Sequence, residues 1–247
     1  MNAKKIIVWM LATAIIFGML PAFTPTVSAA MEAPIIDTAN FRVFARGTPI
    51  LIKEVGGQTQ VFLQSDPNTP LFGGQDISVG NWWVHGGWES GNYTANTSVI
   101  VESGTINGGI FGGSRDGMIT GNTYVNITGG SVANIYGGNR QGSVNGNTNI
   151  EISGGNHGWI FGGGWEGTVS GSTNIEINNG SIYMVVGASS AAAGLVGSTN
   201  ITVNDGTVEY LYGGGIDGSV TGDTNITIND GTVDGMFGGS NAGTIGG

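Results

Sequence analysis

The chain has 247 residues, of which 48 are Gly, and only 10% are charged, against usual shares of ~7% Gly and ~25% charged residues. It has no Cys, which excludes a disulfide framework and any thiolate metal site. A net charge of −10 sets its surface against phosphate backbones and anionic headgroups, so nucleic acid is excluded as a partner.

The N-terminus carries Lys4 and Lys5, an apolar run from Ile6 to Leu20, Pro21 and then Val27-Ser28-Ala29. This is the layout of a secretory signal peptide, read here as residues 1–29, with cleavage after Ala29 or Ala30. The apolar run is short for the ~20 residues a membrane span needs, which disfavours an uncleaved anchor. Cleavage would leave five cationic side chains against all seventeen acids, and a secreted or cell-surface chain with no membrane segment.

Residues 30–94 read as a β-rich N-terminal cap. Short strands are expected at Arg42 to Phe44, Ile50 to Lys53 and Gln58 to Leu63, the last two joined by a hairpin turn at Gly56-Gly57. Pro67, Asn68 and Pro70 mark a loop. Trp83-Val84-His85-Gly86-Gly87 is a degenerate half-copy of the repeat that fills the C-terminal part of the chain.

From residue 95 to 247 one motif recurs six times. Its markers are the apolar pairs Ile110-Phe111, Ile135-Tyr136, Ile160-Phe161, Val185-Val186, Leu211-Tyr212 and Met236-Phe237, spaced 25, 25, 25, 26 and 25. A second marker, Thr-Asn-Ile-x-Ile, has its Thr at 97, 123, 148, 173, 199 and 224. A fixed period without helical patterning signals a solenoid. In Thr199 to Val203 apolar and polar residues alternate as in a strand with one buried face; Asn204-Asp205-Gly206 turns the chain; Thr207 to Tyr212 forms a second strand; and Ser219-Val220 is a third. Three strands and three bends close one coil of about 25 residues, too short for a four-stranded propeller blade and without the leucine-rich pattern.

The expected fold is therefore all-β: a right-handed parallel β-helix, the hand following the usual crossover rule, with a left-handed form or a flatter roll as alternatives. Equivalent residues would stack ~4.8 Å apart, giving inward columns that start at Val99, Val101, Ile106 and Ile119 and line one continuous core. The Gly column at 104, 130, 155, 180, 206 and 231 marks a bend that excludes a Cβ. Phe111, Tyr136, Phe161, Val186, Tyr212 and Phe237 form a structural ladder. The sixth copy reaches Gly246, leaving a strand edge where a longer protein continues or another chain joins end to end.

Candidate chemistry is sparse. Glu151 and Glu176 occupy one outward column in adjacent copies, the arrangement an acid and base pair would need, but the column continues into Thr202 and Thr227 as an ordinary solvated face. The Gly- and Asp-rich turns give calcium as the one cofactor to consider, at Asp205, Asp217 and Asp230. Trp83, Trp88 and Trp165 are candidate platforms for sugar stacking. The Thr column resembles the flat arrays of ice-binding solenoids. His157 replaces an aliphatic residue in a core column, and His85 falls in the aromatic one.

The alternation of T-N-I-x-I-x-x-G with I-Y/F-G-G-x-x-x-G-x-V resembles the Gly-rich repeat arrays of secreted, adhesin-like bacterial surface proteins, and G-T-P-I-x-I-K-E at 47–54 belongs to the same type. The resemblance implies a structural or adhesive role, no enzyme activity, and extracellular glycans or other surface proteins as partners. The alternative is a carbohydrate-binding or carbohydrate-active β-helix.

Overall fold

Alternating β-branched residues and regularly spaced Gly bends leave the chain one simple path, a flat coil that hydrogen-bonds to the next. The computed structural model describes residues 31–247 and shows that path as a parallel β-solenoid of six stacked copies. The segment read from sequence as a signal peptide, residues 1–29, lies outside the described residues.

The copies pair in parallel and keep register along their strand cores. Thr97–Val101 pairs in parallel with Thr123–Ile127, which pairs with Thr148 to Ile152, and the ladder continues through Thr173, Thr199 and Thr224. The second strands pair likewise, Ile110 with Ile135 and on to Leu211 with Met236. Third-side residues Ile119, Val144, Val169, Val196 and Val220 stack in turn. Each column is the one expected from the period. The bend glycines at 104, 130, 155, 180, 206 and 231 all have positive φ, between 83° and 118°, a region that penalises any Cβ.

The preceding segment supplies more than half a coil. Its strands are β1 (Ile35–Asp37), β2 (Arg42–Phe44), β3 (Ile50–Val55), β4 (Gln58–Leu63), β5 (Asp66–Pro70), β6 (Trp83–His85) and β7 (Asn92–Tyr93). β3, β6 and β7 pair in parallel with the three strands of the first copy, so together they form a complete coil beneath it. β3 and β4 form the expected hairpin, with Gly56 and Gly57 both at positive φ as a two-residue turn requires. β2 adds one further parallel strand on β6, and β1 runs antiparallel along β2.

The interior differs from the single core expected. The columns starting at Val99, Val101 and Ile106 join Ile110, Ile135, Ile160, Val185 and Leu211 in one cluster. The column from Ile119 to Val220 forms a second cluster with Trp88 and Ala188. A polar strip accounts for the division. Thr97, Thr123, Thr148, Thr173 and Thr199 point inward and are buried, and their hydroxyls donate to the carbonyl oxygens of Gly112, Gly137, Gly162, Gly187 and Gly213. An ice-binding surface is thereby excluded for this column, because its hydroxyls saturate the inside of the coil.

The Ile-Phe pairs straddle the sheet. Successive strand residues face opposite sides, so with Ile110 in the inner core, Phe111 lies on the outer face. There Phe111, Tyr136, Phe161 and Val186 form a third cluster, packed against Trp83, Tyr210, Tyr212 and Ile216.

Candidate ligand site on the outer aromatic face

Because coils stack one strand spacing apart, residues in one column are held at the separation at which aromatic rings stack. Phe44, His85, Phe111, Tyr136 and Phe161 form a continuous pile, with successive centroids 5.0, 5.1, 4.6 and 4.9 Å apart. Val186 interrupts it, and Tyr212 and Phe237 resume it at 4.7 Å. His85 is fully enclosed in this pile. Burial, and then the charges of Arg42, Arg115 and Arg140, push its pKa down to about 3, so the ring is neutral, and its Nδ1 has no hydrogen-bond partner.

Two residues earlier along the same strands runs a parallel lane that contains Trp83, Trp159, Met184 and Tyr210. Trp83 leans across to Phe111, ring centroids 5.5 Å apart. Gly109 permits this lean, since a Cβ there would sit 2.9 Å from the Trp83 ring. A third lane comes from the following turn, where the backbone stacks Arg115, Arg140 and Trp165 in successive coils. Trp165 tilts over Tyr136 at 5.9 Å and remains 41% exposed.

These lanes enclose a pocket of about 240 Å³ lined by Arg42, Trp83, His85, Phe111, Arg140 and Trp165. Its chemistry is two guanidinium groups set among aromatic faces. Arg115, in the same turn column, is occupied by Asp116 at 3.1 Å and Glu89 at 3.5 Å. Arg42 and Arg140 make no ion pair among the described residues.

Two of the three tryptophans proposed from sequence therefore meet in one pocket. Trp88 does not join them: it is buried inside the solenoid, stacked on Tyr93 at 3.9 Å and 5°, and unavailable as a sugar platform. Arg42, His85, Phe111 and Arg140 complete the site, and sequence reasoning does not place them there. His85 had a signal, its place in the aromatic column. Arg42 had none, because β2 lies outside the repeats.

The remaining candidates are dispersed or occupied. Glu151 and Glu176 do stand on adjacent rungs, but Glu151 accepts from Asn126 and Asn178 at 3.2 Å each and Glu176 from Asn204 at 2.9 Å. They are part of a hydrogen-bonded outer face that includes the ladder Asn149, Asn174, Asn200 and Asn225. Asp205 and Asp230 each accept the N–H of the next residue, Gly206 and Gly231, within their own turns. Asp217 lies at a different corner, between Tyr212 and Ser219, and no group of three acidic or His side chains converges among the described residues.

The fold defines a β-solenoid repeat protein. No known protein family, curated protein or solved structure matches the chain. Among the described residues no helix is long and apolar enough to cross a membrane.

Proposed function

We propose that this chain is a non-enzymatic, secreted or cell-surface solenoid whose role is structural or adhesive. The observation that supports this reading is the parallel pairing of all six copies, each coil hydrogen-bonded directly to the next, with register shifts only beside Ser153 and between Val169 and Ser172. An enzyme on such a scaffold needs long loops between rungs to wall a cleft; the near-constant period leaves room only in the fourth copy, where Ala188 to Ala193 replaces a polar turn. The adjacent carboxylates of Glu151 and Glu176 are held by Asn amides. Expression of the full-length chain in a secreting host tests the location: mature protein beginning at Ala30 or Met31 in the medium or on the cell surface supports it, and retention of the intact chain inside the cell refutes it.

A second reading, carbohydrate binding, is favoured by one specific observation, the convergence of Trp83 and Trp165 on a common pocket. Adhesion through that pocket and the scaffold role are compatible. Loss of glycan binding in Trp165→Ala, with the thermal melt unchanged, is the expected signature.

A further inference from the structure

We infer that the pocket between Trp83 and Trp165 takes an acidic saccharide, with Arg42 and Arg140 holding the carboxylate of a sugar whose ring lies against the tryptophan faces. This rests on the carbohydrate-binding reading and narrows its ligand to an anionic pyranose.

The charge inventory is the first support. In a chain of 17 acids and 7 bases nearly every cation should find an acid. Arg46 is paired with Glu32 and Arg115 with Glu89 and Asp116, while Lys53 sits over the Phe62 ring at 4.8 Å. Arg42 and Arg140 have neither kind of contact among the described residues, and both line the same pocket. The acid opposite Arg42 across the strand pair is Asp37, whose carboxylate accepts from the backbone N–H and side-chain amide of Asn40, at 3.2 and 2.7 Å, and feels the Arg42 charge without forming an ion pair with it. Two half-buried Arg residues thus line one small aromatic cavity in an otherwise acidic protein, a charge arrangement that complements an anionic group. Arg forks match a carboxylate in bidentate geometry.

The second support is His85. It lines the same pocket, is almost fully buried, and its Nδ1 is unsatisfied. The enclosed ring stays neutral, so Arg42 and Arg140 are the charged groups of the lining.

The third is size and shape. A volume of about 240 Å³ lies below the ~300–1,000 Å³ of pockets that enclose drug-sized ligands. It suits one sugar ring at the end or along the length of a chain that continues into solvent. The aromatic faces suit the C–H face of a pyranose. The face beyond the pocket is also aromatic: Trp159 and Tyr183 are exposed, their rings 5.9 Å apart, and Tyr210 meets Tyr183 at 5.8 Å. Neighbouring sugars would follow the solenoid axis along these rings.

The test is a titration of the purified full chain with three trisaccharides of equal length, built from galacturonic acid, galactose and sulfated galactose, read by tryptophan fluorescence and calorimetry. The expected result is binding of the galacturonate at least about tenfold tighter than of the neutral sugar, weakening as salt rises. Arg140→Gln and Arg42→Gln should each remove that preference while leaving the thermal melt in place. Arg140 lies in a turn, so its variant keeps the test valid if Arg42→Gln disturbs β2. Equal binding of acidic and neutral sugars, lost in Trp165→Ala, would overturn the acidic assignment and leave carbohydrate binding standing. Tighter binding of the sulfated sugar would overturn the carboxylate assignment. No binding of any of the three would overturn both readings.

Discussion

The hydroxyl of Thr148 donates to the carbonyl oxygen of Gly162 at 2.6 Å, across the inside of a single coil. The backbone ladder between coils explains why. Gly137 donates its N–H to the carbonyl of Phe161, and Gly138 donates to that of Gly163, so the carbonyl of Gly162 is passed over. The buried threonine supplies the missing donor, and the same bond recurs in every copy.

Thr148→Val keeps the shape and removes that donor. A buried carbonyl left unpaired costs about 1–3 kcal/mol, so the urea midpoint should fall by a corresponding amount. The bond from Thr224 to Gly238, at 2.8 Å, is exposed to water. Thr224→Val should therefore have little effect, and equal losses at the two positions would refute the role of burial.

Gly137 and Gly238 hold equivalent places in different coils. A Cβ at Gly137 would run into the carbonyl oxygen of Gly162 and sit 2.9 Å from Thr148 Cβ, whereas one at Gly238 meets nothing within 4 Å. Gly137→Ala should cost at least the ~1–3 kcal/mol of overpacking. Gly238→Ala should be close to neutral. Thermal melts of the two variants separate steric from purely sequence-based explanations of the Gly column.

Trp88 and Trp165 should behave oppositely. Trp88→Ala empties a buried site beside Tyr93 and should cost about 3–5 kcal/mol. Trp165→Ala, at an exposed ring, should cost about 0.5 kcal/mol or less. Similar melts for both variants would mean that Trp88 is not a core residue.

Folding keeps His85 neutral, with its pKa at about 3, while the unfolded chain protonates near the ordinary value of 6.5. Below pH ~6.5 the unfolded state therefore binds a proton that the folded state refuses, and stability falls by up to about 1.4 kcal/mol per pH unit. Above that pH the contribution is intact. His157, also held below its ordinary pKa by burial, acts in the same direction. Urea midpoints at pH 7 and pH 5 should show the loss, and His85→Phe, which fits the aromatic pile, should flatten it. An unchanged slope in that variant would exclude His85 as a source.

The period, the make-up of each column and the bends are legible in the chain before it folds. Each rests on local chemistry repeated six times: an apolar residue every second position in Thr199 to Val203, and, within the repeats, a Gly wherever φ is positive, as at Gly206. Which side of a strand is the inside depends on how the coil closes. In Ile110-Phe111 both residues are apolar, so alternation says that they face apart but not which one the closed coil encloses. Polarity alone places the Thr column on the surface, yet its hydroxyls face inward because a buried carbonyl needs a donor. The ligand pocket was legible only in part. Trp83 and Trp165 stand out as residue types, but Arg42 reaches them through the parallel pairing of β2 with β6, a contact between segments 41 residues apart that no repeat announces.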